Sequence, residues 1–337
     1  SKCGNHRFTG RKAGCMEHII LPEEPIPKHE VLFTFEQDHA EIYMGAKTIK
    51  VDTDTALYML HQRETMPEGR AWENDFPSVV NHTSSSSARH HPDFQAAKHG
   101  DFDAALRLID DLVKDERVIS VAQQHPSATI AYVHRQQGDG INMIPAAYAA
   151  KFSALGMNVE HNIYAVTNVS HTDATDMERI SRRMRFDGEV SRGMNYIILD
   201  DFITSGAELR DMKDYINSKG GNVVMMTTLG HGGYGKLSDI RIDDTYTTKL
   251  QQSGITDTDL RKYGIASHIS CLTLSEAAKL SRVLNAGRKT EVTQIPNGLR
   301  LIHTRARTLS EMEGEVRSSR LQSVQIEVTQ PRPFYHR

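Results

Sequence analysis

The hydrophobic pattern is sharpest at Tyr196-Ile197-Ile198-Leu199, four consecutive apolar residues followed by Asp200-Asp201, two more apolar residues and the polar stretch Thr204-Ser205-Gly206-Ala207-Glu208. A short continuous apolar run bounded by turn residues predicts a strand buried on both faces. Leu209 to Ser218 then carries helical spacing, which Gly220-Gly221 stops. The same alternation extends on both sides of this unit. Asp93 to Lys98, Phe102 to Val113 and Pro145 to Leu155 read as helices; Thr129 to Val133, Val159 to Val166, Asn195 to Leu199 and Asn222 to Thr227 read as strands. Strands alternating with helices predict an α/β fold with a parallel, Rossmann-like sheet covered on both faces. In such sheets ligands sit outside the carboxyl ends of the strands, where the Asp200 to Ala207 segment falls.

Outside this region the pattern changes. Val31 to Phe35 and Glu41 to Met44 alternate as a small hairpin or sheet, and Thr55 to Gln62 reads as a short helix. Pro67 to Arg89, with two prolines, Gly69 and the run Ser84 to Ser87, reads as a linker. Asp257 to Tyr263 and Leu274 to Leu284 form a helix pair, Gln294 to Thr304 a strand or hairpin, and Glu311 to Arg337 a loosely ordered tail. The expected divisions are therefore 1–90, an extension; 91–249, an α/β core; 250–310, a helical addition; and 311–337, a tail.

The polar stretch after the acids has the chemistry of a phosphate cradle. Small residues let backbone N–H groups approach a ligand, and the following helix start adds a favourable dipole for an anion. Two adjacent carboxylates suit the hydroxyls of a sugar phosphate and a hard cation. A second glycine-bearing loop, Val133 to Pro145, follows the Thr129 to Val133 strand; Arg135 supplies positive charge there, and Gly138 and Gly140 expose backbone N–H groups. Asn168 to Gly193 is too long for an ordinary connection and carries Arg179, Arg182, Arg183 and Arg185. It reads either as a mobile basic cover for a polyanion or as a surface helix, Met177 to Met184. Thr227 to Lys236 ends the last core strand in a Gly-rich loop, which either lines a pocket or serves as a flexible connector.

Composition narrows the class. The chain has 337 residues, 38% hydrophobic and 25% charged, with a formal net charge of -3, as in soluble globular proteins and without an overall basic excess for nucleic acid. No apolar stretch approaches the roughly 20 residues that span a bilayer, and no signal-peptide segment is apparent, so a cytoplasmic address is expected. Three cysteines, Cys3, Cys15 and Cys271, do not make a disulfide framework. Cys3-x-x-His6 and Cys15-x-x-His18 are zinc-ligand types at short spacing, but the pattern straddles Met16, a natural start, and is read as chance; Arg89-His90-His91 reads as a solvated loop.

The run Asp200-Asp201-Phe202-Ile203-Thr204-Ser205-Gly206-Ala207 resembles the phosphoribosyl-pyrophosphate (PRPP) motif of type I phosphoribosyltransferases, departing from it at Glu208, where the family has Thr. The resemblance covers roughly Phe94 to Gly232. It implies a parallel sheet of the type I phosphoribosyltransferase kind with N-terminal and C-terminal additions, and an enzyme that uses PRPP and Mg2+ to place a phosphoribosyl group on a nitrogenous base or other amine, releasing pyrophosphate. By position, Asp200 and Asp201 would be catalytic and contact ribose hydroxyls or Mg2+. Thr204, Ser205, Gly206, Ala207 and Glu208 would border the 5′-phosphate, and Arg135, Gly138 and Gly140 the pyrophosphate. His171 and Arg183 would reach the substrate from the family's flexible hood. The alternatives are a PRPP- or nucleotide-sensing module, or an inactive homologue, acting through a nucleic-acid or protein partner. Homo-oligomer formation is left open.

Overall fold

The computed structural model describes residues 19–20, 33–36, 38–134, 136–137, 140–167, 174–232, 239–289, 299–303 and 324–328. Five strands form the expected parallel sheet: β1 (Val80–Ser84), β2 (Thr129–Tyr132), β3 (Val159–Glu160), β4 (Asn195–Ile203) and β5 (Asn222–His231). Their spatial order is β1-β5-β4-β2-β3, every neighbouring pair parallel. The flanking helices are α1 (Phe94–Lys98), α2 (Phe102–Leu112), α3 (Ile144–Ala154) and α4 (Ala207–Ser218); a later helix, α5 (Leu274–Ala286), packs its apolar face in the second lobe described below.

Side-chain alternation explains why β4 reads as an unbroken apolar run. Ile197 and Leu199 enter one core with Ile130, Tyr132 and apolar residues of α2 and α3. Tyr196 and Ile198 enter the other with Ala131, Val133 and Leu209, Met212 and Ile216 of α4. With both faces covered, no position is left for a polar residue until the strand leaves the cores.

The topology also makes a crevice. From β2 the chain crosses through α3 to the outer strand β3, whereas from β4 it crosses through α4 to β5 on the opposite side. β2 and β4 therefore flank the switch point, where open α/β sheets bind ligands. Pairing of β4 with β2 ends at Leu199↔Tyr132, while its pairing with β5 continues to Ile203↔His231. Asp200 and Asp201 thus belong to the strand itself, which runs four residues past the end of the apolar run, on the stretch that projects beyond β2.

Several boundaries differ from the sequence reading. Val80–Ser84, within the expected linker, is the edge strand of the core sheet, and Ser84 caps a short helix, Ser85–Arg89, by accepting from the Ser87 N–H at 3.1 Å. Its polar sequence has no strand periodicity; backbone pairing and a 2.8 Å hydrogen bond from Thr227 Oγ1 to the Val80 carbonyl hold it in place. Val159 to Val166 splits into β3 and Tyr164–Ala165, which pairs antiparallel with Phe186–Asp187.

The chain ends, treated above as separate additions, build one second lobe. Its seven-stranded sheet runs Ile19–Ile20, Leu299–His303, Val324–Val328, Phe33–Phe35, Ala40–Met44, Lys47–Val51, Arg288–Lys289. All pairs are antiparallel except Leu299–His303 with Val324–Val328. The expected loose tail thus contributes a strand. Phe33, Ile42, Leu57, Leu260, Tyr263, Leu280 and Leu284 share one apolar core, so segments more than 200 residues apart fold together.

Candidate functional site

The turn between β4 and α4 is shaped by Gly206, which caps the helix at φ 73° and ψ 6°, the left-handed region that only glycine enters without strain. A Cβ there would meet Ile240 Cδ1 at 2.9 Å. Thr204 is exposed, Ser205 and Glu208 are half-buried and Ala207 is buried. The Ala207 N–H donates to Ser205 Oγ at 3.3 Å, and Thr273 Oγ1 donates to the Ser205 carbonyl at 2.6 Å. The first helical turn therefore presents a polar, backbone-rich surface at the positive end of a twelve-residue helix.

Just before it stand the acids, Asp200 4% and Asp201 6% exposed. Asp200 Oδ1 accepts the Asp201 N–H at 2.8 Å, and Asp201 Oδ1 accepts the Phe202 N–H at 2.7 Å. Asp201 Oδ2 accepts from the Lys98 ammonium and, at 2.7 Å, from Asn142 Nδ2. Lys98 reaches it from the C-terminal end of α1, which packs over the strand end: Phe94 and Phe202 rings lie 6.0 Å apart, and Lys98 Nζ lies 5.9 Å from the Phe202 ring centroid. Two carboxylates would repel each other at this burial, and the ammonium supplies the compensating charge.

Asn142 comes from the loop after β2, so that loop is joined to the acid pair at the end of β4 by a direct hydrogen bond. Gly140 belongs to this loop, and a Cβ there would lie 2.5 Å from the His99 carbonyl oxygen; glycine lets the loop close onto the end of α1. Arg135 and Gly138 lie outside the described residues, as does His171. Beside the loop, Tyr132, His134, His161, Phe102 and Met143 line a cavity of roughly 400 Å3, into which Asn142 also projects its surface. Tyr132 Oη and His161 Nδ1 are 3.0 Å apart.

Arg183 requires correction. The expected hood arginine is fully buried, pairing with Asp211 Oδ1 at 2.8 Å through Nη2, with Glu276 through Nη1, and with the Ala207 carbonyl at 3.2 Å. Its guanidinium faces the interior and braces the glycine turn from behind. The neighbouring helix is Asp176–Ser181, closed by a Thr175/Glu178 capping box, with Met177 and Ile180 in the second-lobe core. Arg179 donates to the Ala174 carbonyl and Arg182 to Thr55 Oγ1, so these basic residues hold the segment to the protein.

The Cys3, His6, Cys15 and His18 pattern, read as chance, lies outside the described residues, and His91, from the run read as a solvated loop, pairs with Asp111 at 3.0 Å. Among the described residues no cluster of three or more His, Cys, Asp or Glu converges, and no helix is long and apolar enough to cross a membrane.

Sequence reasoning missed Lys98 and assigned Asn142 no role. A lysine at the end of a short amphipathic helix, 103 positions before its carboxylate, has no local signature; Asn142 stands in the same loop as Gly138 and Gly140 and had only to be recognised as a carboxylate donor.

The fold defines a class: an α/β protein with a five-stranded, all-parallel sheet and an acid pair and glycine turn at the end of a central strand. No family model matches the chain. It is similar to Protein TraN of Escherichia coli, 34% identical over 165 residues, 48% of this chain and 36% of that protein. It is equally similar to an uncharacterized protein of Haemophilus influenzae, 34% identical over 161 residues, 47% of this chain and 36% of that one. The matched stretch thus spans little more than a third of these relatives. Similar solved structures include an adenine phosphoribosyltransferase, at 12% identity over 40% of this chain and 71% of that one with a TM-score of 0.25. A hypoxanthine-guanine phosphoribosyltransferase of Bacillus anthracis aligns at 16% identity over 40% and 73% with a TM-score of 0.28.

Proposed function

We propose that the crevice between β2 and β4 binds PRPP with Mg2+, and that the protein transfers the phosphoribosyl group to a nitrogenous base or other amine with release of pyrophosphate. The observation that carries this reading is the order of groups along the strand end: a buried acid pair projecting past β2, then a glycine turn, then the start of α4. The acids would take ribose hydroxyls or the cation, and the Thr204 to Ala207 turn the 5′-phosphate. The β2 loop, with Arg135, Gly138 and Gly140, would take pyrophosphate. Such a site works by positioning and by stabilising the departing anion, with no covalent nucleophile. The cavity beside Asn142 has room for a planar acceptor.

The donor set fits magnesium, which commonly takes one or two carboxylates and completes its shell with substrate phosphates and water. Asp200 and Asp201 would hold it, and when bound it would neutralise charge on pyrophosphate. Lys98 must then give up or share Asp201 Oδ2.

That same contact favours a second reading, a sensor of PRPP or a nucleotide without turnover, because a side-chain ammonium already occupies the place of a metal charge. Pyrophosphate detection with PRPP, Mg2+ and a pooled set of bases separates the two. Release that depends on one base, and disappears in the Asp200→Asn, Asp201→Asn double variant, supports the transferase. Binding of PRPP by calorimetry without release supports the sensor, and no binding in the wild type rejects both.

A further inference from the structure

Away from the crevice, a group of buried charges surrounds α4: Arg183, Arg185, Arg210 and Lys213 against Asp211, Asp214 and Glu276. Four cations thus face three carboxylates. Arg183 and Arg210 are paired; Lys213 donates to the Arg70 carbonyl at 3.2 Å and lies 4.6 Å from the Trp72 ring centroid. Arg185 is different. It is 7% exposed, and among the described residues no carboxylate lies within ion-pair distance. Among the described residues its guanidinium donates only long bonds, 3.2 to 3.4 Å, to the carbonyls of Gly264, Gln62 and Met184, and its buried Nε finds no acceptor. Burial pulls its pKa down to about 10, as expected for a charge without a close counter-ion.

Arg185 lines a cavity of roughly 270 Å3 with Lys219, Tyr215, Ser218 and Asp187. It runs along α4 from Asp211 to Lys219, just past the helix end. Asp211 also borders it, but its oxygens are engaged by Arg183 and by the Met184 N–H at 2.9 Å. Asp187 is exposed and accepts the Gly188 N–H at 2.8 Å. The hydroxyls of Tyr215 and Ser218 donate to the carbonyls of Gly188 and Tyr215. The charged donors left for a guest are Arg185 and the Lys219 ammonium.

We propose that this cavity is a second anion site that takes a small oxyanion, a phosphate or carboxylate group, between Arg185 and Lys219, separate from the strand-end crevice. A guanidinium and an ammonium together suit an oxyanion, and a bound one would satisfy the unpaired Nε and balance the excess cation. Because Arg185 and Asp187 belong to the segment that returns to β4, occupancy would tie that segment to α4 and to the 62–67 turn.

The test follows the Arg185 Nε–Hε resonance by NMR, assigned through its absence in Arg185→Lys, during titration with inorganic phosphate and, separately, acetate. The expected result is a saturable shift with at least one of them. Binding should weaken tenfold or more in Lys219→Glu, an exposed substitution compatible with folding, and persist in the Asp200→Asn, Asp201→Asn variant. Saturation by phosphate alone assigns a phosphate group, and saturation by acetate a carboxylate. A purely linear drift with both anions, or saturation unchanged by Lys219→Glu or lost in the acid-pair variant, overturns the assignment.

Discussion

Replacing Glu276 with Gln should destabilise the protein and loosen the glycine turn. Glu276 is buried at the start of α5, where it pairs with Arg183 and with Arg210 Nε at 2.9 Å and accepts the Thr273 N–H at 2.9 Å. These charges hold its carboxyl at about 2, well below the ordinary 4.5, despite the opposing effect of burial. That displacement corresponds to about 3 kcal/mol favouring the ionised form in the fold, and removal of one partner from a buried ion pair costs about 3 to 5 kcal/mol. The two figures agree, so a loss of about 3 to 4 kcal/mol at neutral pH is expected. The pH dependence is fixed by the sign. A depressed carboxyl contributes stability above its unfolded pKa and loses it as pH falls through the folded value, so the deficit of the variant should shrink between pH 5 and pH 2. Urea unfolding of both proteins across that range measures it. A neutral-pH deficit below about 1 kcal/mol, the scale of an exposed pair, or one that persists unchanged at pH 2, would refute the reasoning. The variant should also bind ribose 5-phosphate more weakly, because Arg183 and Thr273 reach the carbonyls of Ala207 and Ser205 from this network.

Three further outcomes are expected. Lys98→Met should strengthen Mg2+ binding at the acid pair by about tenfold, the scale of about 1.4 kcal/mol of removed competition; calorimetry showing weaker binding would make Lys98 a ligand contact instead. Glu208→Thr should strengthen binding of ribose 5-phosphate and PRPP, since it removes like-charge repulsion of about 1 kcal/mol or more and adds a donor; equal or poorer affinity for both would show that the family's 5′-phosphate contact does not transfer. Asp214 is pushed up to about 6 by burial, which outweighs the Arg210 contact at 3.2 Å, and its Oδ1 has no partner among the described residues. Its raised pKa adds stability that is complete below 3.8 and lost as pH rises through about 6. Asp214→Asn should flatten the stability profile there, and an unchanged slope in thermal unfolding from pH 4 to 7 would count against this account.

The parallel core was legible because its signals are local: the Tyr196 to Leu199 run, the glycines after Ser218 and the Pro145 helix start each act within one element. The acid pair and its turn were legible for the same reason. What sequence could not show depends on distant partners. Val80–Ser84 is a strand because β5 lies beside it, Arg183 is interior because Glu276 arrives 93 residues later, and Lys98 meets Asp201 only once α1 packs over Phe202. Basic residues in a long connection look alike whether they face solvent or a buried carboxylate, and only the packed fold separates them.

α4 is buried along nearly its whole length, between the parallel sheet on one side and the lobe made from the two chain ends on the other. A cut at residues 91 and 249, natural on paper, would keep Arg183, Arg210, Asp211 and Asp214 while discarding Glu276 and the surface that seals them. The excised piece would carry the motif but present a wet, unbalanced row of charges where the whole chain has an interior. The glycine turn would then rest on only one of its two foundations. In this protein the smallest unit that can hold the crevice in shape is larger than the segment whose sequence announces it.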